Sequence, residues 1–298
     1  MSTSLLKYIA LILMTIDHIG EFIPGTPIWF RYLGRLATPI FFFCAVEGIL
    51  HTHDRKKYLL RLYVASVLMA TVEFILLLID SKLYINNNIF SSIFLGTTIV
   101  YILEEYKDKK CKRNWLLLAF VGWQAFSFVI AFVLTRFDNV IPWIDYSVEY
   151  LLIFAGNWNV TEGALYLTLA IPLFYFLRGD KKKLAIGYTI YCVIFFMMLP
   201  LKGATYCYEI VARLFNRTVA EIIVGFPFRD VLGLPISGNI FGSSFQELIF
   251  EDYYQWMMIF ALPIILCYNG KRGNYPKWLF YIYYPVHLFA LALISTLI

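Results

Sequence analysis

LLKYIALILMTIDHIGEF, residues 5–22, is long enough and apolar enough to cross a membrane as one helix. About 20 mostly apolar residues span the roughly 30 Å hydrocarbon core of a bilayer. Yet the stretch carries Lys7 near one end and the pair Asp17–His18 near the other. It lacks the small-x-small cleavage site of a signal peptide, so we expect a retained helix. Because ionisable groups are costly in lipid, these side chains should face other helices.

The composition predicts that the rest of the chain is of the same kind. Its 298 residues are 60% hydrophobic and 15% charged, whereas a soluble domain is about 25% charged. The apolar stretches do not alternate as the strands of an outer-membrane barrel do, which favours an all-α, polytopic helical bundle. We expect one domain over residues 1–298 with about nine to eleven helical segments. The candidate spans are 5–23, 29–50, 58–80, 89–106, 114–135, 147–177, 184–201, 253–268 and 278–297.

Two segments depart from simple crossings. Residues 147–177 are too long for one span, and Gly156-Asn157-Trp158-Asn159 within them predicts a break. Residues 202–250 are less apolar, and we expect an interfacial or re-entrant helix near 206–225, then a loop. The five cysteines form no C-x-x-C pair, so they indicate neither a disulfide framework nor a metal site. We expect no bound metal.

Positive charge predicts the orientation. The loops at 80–88 and 136–146 carry few cations. Cytoplasmic loops are enriched in Lys and Arg, so the basic loops should be cytoplasmic, with the N-terminus inside and the protein in the cell (inner) membrane. The cations of these loops account for the net charge of +5, so the charge is no indication of nucleic-acid binding. Four basic loops follow alternate spans and therefore share one side: 51–58, 106–114, 178–183 and 268–277.

Polar side chains on five spans fall at one predicted depth. Counted at 1.5 Å per residue, each lies about 20–22 Å from the cytoplasmic end of its span. We expect them to meet inside the bundle, either as a structural ion-pair network or as a solvated site for chemistry or transport. His287 counts to only about 13 Å, one or two turns lower. The five are His18, Arg35, Glu73, Glu162 and Gln255.

The spacing within the first helix is informative. Lys7 and His18 are eleven residues apart, so they should share a helix face about 16 Å apart along the axis. A cation at the mouth and an imidazole deep inside fit a long ligand with an anionic head, such as coenzyme A carrying a thioester. Asp17 points about 100° away from His18. We expect it to pair with Arg31 or Arg35.

Four segments of the chain carry a resemblance to a known family: LKYIALILMTIDHIG, YLGRLATPIFFFCAVEGILHTHDRKKYLLRL, NNNIFSSIFLGTTIVYILE and QWMMIFALPIILCYNGKRGNYPKWLFYIYYPVHL. They resemble the TraX family, which is named for an integral-membrane acetylase that N-acetylates a conjugative pilin. The resemblance is clear over residues 5–106 and 253–296 and weaker between them. Lys7-x10-His18, and FFFCAVEG at 41–48, also resemble the wider acyltransferase family 3.

The resemblance implies acyl transfer from cytoplasmic acetyl-CoA, or a related acyl-CoA, to an acceptor at the outer side. The acceptor would be an amine or hydroxyl, such as a pilin or peptide N-terminus or an envelope glycan. His18 would be the general base or a transient acyl carrier. Arg35 or Arg31 would stabilise the oxyanion, and Glu73 would orient His18 or neutralise the arginine. Asp17 completes this catalytic set.

Further residues are candidates for binding the two substrates. The turn Asn269-Gly270-Lys271-Arg272-Gly273 should offer backbone N–H groups and two cations to phosphate. Glu162 and Gln255 are candidates for the acceptor, since they share the predicted depth of His18. The cofactor-binding candidates are Lys7, Arg31, Arg55, Lys56, Lys57, Arg61, Lys271, Arg272 and His287.

Two other classes of protein are compatible with the pattern. A proton-coupled small-solute transporter would use the same buried carboxylates and the broken sixth helix as a gate. The sequence shows no inverted repeat in its favour. A non-catalytic scaffold for envelope assembly would leave the polar groups at one depth unexplained. The acceptor, the acyl length, an acyl-enzyme and the oligomeric state are left open by the sequence.

Overall fold

A computed structural model describes residues 1–79, 88–134, 144–234, 236, 245–274, 276 and 278–297. Within this part of the chain every regular element is helical, which confirms the all-α class. The predicted loop at 80–88 lies outside the described residues except for Asn88, and most of the loop at 136–146 also lies outside them. Internal contacts divide the chain into two compact units, Met1–Cys44 with Phe176–Ile298, and Ala45–Tyr175.

The α-helices are numbered in chain order. A 3₁₀ turn occupies Trp158–Val160, π-helical turns Glu221–Val231 and Leu248–Asp252, and a 3₁₀ helix Tyr254–Phe260. The helices are α1 Thr3–Phe22, α2 Trp29–Gly34, α3 Ala37–His51, α4 Arg55–Ile79, α5 Ile89–Glu105, α6 Lys110–Leu134, α7 Ile144–Ala155, α8 Ala164–Thr168, α9 Ala170–Leu177, α10 Lys181–Met198, α11 Gly203–Leu214, α12 Arg217–Ala220, α13 Phe245–Glu247, α14 Ala261–Leu266 and α15 Leu279–Ser295.

Three of the described helices are long and apolar enough to cross a membrane: Trp29–His51, Arg55–Leu78 and Lys110–Ala131. A fourth candidate is α10 with α11, which meet at a bend of 54°. Shorter apolar helical segments lie at Ala164–Leu177, Tyr254–Leu266 and Leu279–Ser295. The chain is therefore helical with the features of a membrane protein, and the expected nine to eleven transmembrane or re-entrant helices stay a prediction.

In the first unit, α1 packs against α2 on one face and α15 on another. Its first turn is bound by the turn at 269–273, because the Thr3 and Ser4 N–H groups donate to the Lys271 and Arg272 carbonyls at 2.9 and 3.0 Å. These bonds satisfy donors that a helix N-terminus leaves without intrahelical partners. The start of α1 is thus anchored level with residue 271.

In the second unit, the predicted break near 156–159 is confirmed, because α7 ends at Ala155 and α8 begins only at Ala164. Gly156 takes a positive φ of 67°. The fully buried Gln124 of α6 donates to the Gly156 carbonyl and accepts from the Trp158 N–H, both at 2.9 Å. The Asn157 side chain donates to Ser127 at 2.7 Å. Side chains of α6 therefore replace the helical bonds lost at the break.

Candidate functional site

Two histidines from opposite ends of the chain meet in the first unit. His18 on α1 is 3% exposed and His287 on α15 is 8% exposed. His18 Nδ1 lies 2.6 Å from His287 Nε2. The other ring nitrogen of His287, Nδ1, lies 2.9 Å from the Tyr283 carbonyl oxygen. The result is a continuous line of hydrogen bonds from the backbone of α15 to the imidazole on α1.

Aromatic side chains of α15 frame the pair. The His18 and His287 rings are within 16° of parallel, as are the rings of His287 and Tyr283 at 15°. The buried Tyr284 meets both imidazoles edge-on. The Thr15 hydroxyl donates to the Leu11 carbonyl and so accepts from the Tyr283 hydroxyl, both at 2.8 Å. This last contact fixes the rotation of α15 against α1.

The predicted level of His287 is wrong. Counting from the start of each span placed it one or two turns below His18, whereas the two rings are bonded directly. The count assumed that both helices begin in one plane. The hydrogen bonds of Thr3 and Ser4 put the start of α1 level with residues 271 and 272, several residues before α15 begins at Leu279. His287 thus belongs to the His18 site.

Asp17 pairs as its position on α1 predicts, and with both candidate arginines. Its carboxylate lies 3.0 Å from Arg31 Nη1 and accepts a hydrogen bond from Arg35. Arg31 also donates to Glu21 at 2.8 Å. The negative charges of two carboxylates are therefore balanced by the positive charges of two guanidinium groups at the end of α1. Gly34 packs directly on Asp17 and leaves no space there for a Cβ.

The same cluster reaches the segment 254–260. Arg35 donates to the Gln255 side-chain oxygen at 2.9 Å, which confirms that these two predicted residues meet. Arg31 donates to the Tyr254 hydroxyl at 3.3 Å, and the Arg35 guanidinium lies 5.5 Å from the Tyr254 ring centroid. Tyr254 could not be predicted from local sequence, because its contacts depend on how the chain packs after residue 250.

Glu73 and Glu162 belong to the second unit. Glu73 on α4 is 6% exposed, as expected of a carboxylate turned inward. The Ser92 hydroxyl of α5 donates to the Glu162 backbone carbonyl at 3.0 Å. Their roles toward His18 or an acceptor stay predictions.

Lys7 and His18 contact the same helix, as their spacing predicts. Lys7 Nζ lies 5.4 Å from the Phe280 ring centroid, and His18 bonds to His287, both on α15. Arg31 lies near the other end, about 15 Å along α1 from Lys7 at the level of Asp17. A single phosphate group therefore could not bind Lys7 and Arg31 together.

The basic loop before α4 offers exposed cations in the second unit. Lys56, Lys57 and Arg61 are exposed, whereas Arg55 donates to Glu105 at 2.9 Å. The Lys57 N–H donates to the Asp54 carboxylate at 2.9 Å, a helix-capping bond that lowers the pKa of Asp54. The three exposed side chains remain candidates for binding phosphate.

The turn at 269–273 is bonded to the start of α1, and its role as a backbone site for phosphate stays a prediction. The Asn269 N–H donates to the Met1 carbonyl at 2.9 Å, and the Lys271 N–H to the Asn269 side chain at 3.0 Å. The turn also presents two carbonyls to α1. The Lys271 and Arg272 side chains are exposed and stay candidates for binding an anion.

A cavity of about 570 Å³ lies beside α2. The Tyr32 hydroxyl in its wall donates to the Phe250 carbonyl at 2.6 Å. Sequence reasoning missed this cavity, because it forms only when residues 28–32 pack against 246–251. Among the described residues, no group of three or more His, Cys, Asp or Glu could hold a metal ion. The lining residues are Ile28, Tyr32, Gln246, Phe250 and Glu251.

Comparison with known proteins supports the sequence resemblance. The profile of the family described as TraX protein matches residues 2–202. The chain belongs to the TraX family. The match to TraX includes α1, the arginines of α2 and the second unit. It ends before Gln255 and His287, so the partner of His18 comes from a segment beyond the TraX match.

Two relatives of this TraX-family chain are similar over different lengths. The uncharacterized protein RP591 of Rickettsia prowazekii is 27% identical over 201 residues, covering 65% of this chain and 77% of that protein. The probable fimbrial assembly protein FimC, serogroup H1, of Dichelobacter nodosus is 37% identical over 67 residues, which are 21% of this chain and 28% of FimC. The chain therefore spans under a third of FimC. No solved structure matches.

Proposed function

We propose that this TraX-family protein is a membrane-embedded acyltransferase. It moves an acetyl or other short acyl group from cytoplasmic acyl-CoA to an amine or hydroxyl at the outer side of the membrane. One observation carries the proposal. The buried His18 is bonded through Nδ1 to His287, while its Nε2 has no hydrogen-bond partner among the described residues. An imidazole that is oriented through one nitrogen and has no described partner on the other suits a general base.

The chemistry needs only one proton-transfer group at this point. His18 Nε2 removes a proton from the acceptor N–H or O–H as its nitrogen or oxygen attacks the thioester carbonyl. The tetrahedral intermediate collapses, the C–S bond breaks, and the coenzyme A thiolate leaves. The proton on His18 then passes to that thiolate. No redox step and no metal are required.

Arg35 is suited to stabilise the oxyanion of this intermediate. Its N–H groups bind Gln255, Asp17 and the Arg31 carbonyl, which orients the guanidinium and leaves two N–H donors with no described partner. A preorganised donor of this kind stabilises charge that develops only in the transition state. Asp17 acts here by positioning the two arginines.

Lys7 supports the same assignment from the other end of α1. A cation about 16 Å along the helix from His18 is placed to bind a phosphate of coenzyme A while the thioester reaches the imidazole. The exposed cations near α4 and at 271–272 are further candidates for the nucleotide. The name of the FimC relative refers to fimbrial assembly, which supports an acceptor at the cell surface, such as a pilin or peptide N-terminus or an envelope glycan.

Purified protein in lipid nanodiscs should consume acetyl-CoA when a suitable amine or hydroxyl is present. His18→Ala should lower turnover by about 10²- to 10⁴-fold, the usual contribution of a general base. Coenzyme A binding, measured by calorimetry, should be unchanged in that variant. Lys7→Ala should instead weaken coenzyme A binding and leave turnover at saturation nearly intact.

His53→Ala is the matched control, because this histidine is exposed in a loop and has no assigned role. Full turnover in His18→Ala would remove His18 as the base. The transporter alternative makes a different prediction for the same nanodisc protein placed in liposomes. It requires proton-dependent solute uptake with no consumption of acyl-CoA.

A further inference from the structure

The hydrogen bonds of His287 define which of its nitrogens carries a proton. The Tyr283 carbonyl can only accept a hydrogen bond. The nitrogen 2.9 Å away, His287 Nδ1, must therefore carry a hydrogen and donate it. Neither imidazole contacts a carboxylate among the described residues, and burying an unpaired charge is costly, so His287 is neutral. Its Nε2 is then an acceptor only.

The protonation of His18 follows from this. His18 Nδ1 is 2.6 Å from the bare His287 Nε2, so His18 Nδ1 must donate. The rings are within 16° of parallel with centroids 4.9 Å apart, which at this N–N distance makes them nearly coplanar. An in-plane N–H therefore points along an in-plane lone pair. A neutral His18 that is protonated at Nδ1 carries its one in-plane lone pair on Nε2.

We infer that His287, oriented by the Tyr283 carbonyl, is a positioning residue that holds His18 in the Nδ1–H tautomer and keeps Nε2 available as the base. The inference rests on the proposed function and extends it to a residue beyond the TraX match. His287 does not touch the acceptor in this scheme. It determines which nitrogen of His18 does.

The surroundings of His287 fit this role. Tyr283 supplies the acceptor carbonyl, lays its ring parallel to the imidazole, and donates its hydroxyl to Thr15 on α1. Tyr284 closes the pair from the side. When His18 Nε2 takes the acceptor proton, the charge on His18 strengthens its hydrogen bond to His287, and the Tyr283 carbonyl stabilises the far end of the line.

Three variants test the inference by turnover. His287→Leu removes the acceptor for His18 and should lower kcat at least tenfold. The KM for acetyl-CoA and the coenzyme A affinity should change less than twofold. His287→Gln keeps an oxygen acceptor near the position of Nε2 and should recover most of the lost kcat. His53→Leu makes the same substitution at an exposed histidine and should be silent.

Nitrogen-15 NMR of histidine-labelled protein reads the tautomer directly and needs no activity. Wild-type and His287→Gln protein should show His18 protonated at Nδ1 and bare at Nε2, whereas His287→Leu should show a mixture. His18→Ala assigns the signals, and thermal unfolding of every variant identifies any that does not fold. A bare Nδ1 in wild-type His18, or equal kcat in the leucine variant, would overturn the inference. Unchanged turnover in His18→Ala would overturn the proposed function instead, while leaving the tautomer result standing.

Discussion

Asp17 and His18 are neighbours in the sequence, but their side chains contact different parts of the first unit. Successive residues of an α-helix point about 100° apart. Asp17 therefore faces α2, where it binds Arg31 and Arg35, while His18 faces α15 and His287. One turn of α1 thus holds an ion cluster and an imidazole pair on adjacent faces. This division was predicted for Asp17 from the helical angle alone.

Gly34 makes the first of these contacts possible, which gives a prediction for one residue. A Cβ at Gly34 would overlap Asp17 Cβ and Cγ. Gly34→Ala should therefore separate α2 from α1 and destabilise the protein by about 1–3 kcal/mol, as overpacking usually does. Thermal unfolding in detergent measures the effect. The control is Gly122→Ala on α6, where a Cβ meets nothing within 4 Å. Equal loss in both variants would contradict the packing argument.

At the scale of elements, the sequence predicts helices and breaks better than it predicts their partners. The Gly and Asn residues at 156–159 predict the break, because their local conformational preferences disfavour a continuous helix. Nothing local shows that Gln124, some thirty residues away, satisfies the broken backbone. The level of His287 could not be predicted for the same reason. Counting residues along α15 ignores the hydrogen bonds between the turn at 269–273 and the start of α1, and these bonds set the two helices relative to each other. The Thr15–Tyr283 contact was not predicted either, because it also depends on how α1 packs against α15.

The Gln124 contact predicts the cost of losing it. Gln124→Leu leaves the partly buried Gly156 carbonyl and Trp158 N–H without this partner. A fully buried polar group without a partner costs about 1–3 kcal/mol, and a part of that cost for each group should lower the unfolding temperature. Phe126→Leu on the same helix replaces an exposed apolar side chain and should change little. A Gln124→Leu protein as stable as the wild type would show that the break finds other partners.

At the scale of the whole molecule, the proposed reaction depends on orientation. Acyl-CoA is available only if the Lys7 end of α1 faces the cytoplasm, which the alternation of basic loops predicts. The helices by themselves do not determine this, because three or four candidate spans are compatible with either orientation. The alternation of basic loops predicts that the loop at 106–114 is cytoplasmic, so the chain that follows the candidate span 184–201 should begin at the outer side.

Single-cysteine proteins test that orientation. Cys111 is exposed within the basic loop, and Arg213 is exposed at the end of α11. In right-side-out vesicles, a membrane-impermeant maleimide should label Arg213→Cys in an otherwise cysteine-free chain. A protein that retains only Cys111 should be labelled only after the vesicles are permeabilised. The reverse order would place Lys7 and the basic loops outside, where no acyl-CoA reaches them, and acyl transfer from cytoplasmic acyl-CoA would then be untenable whatever the chemistry of His18.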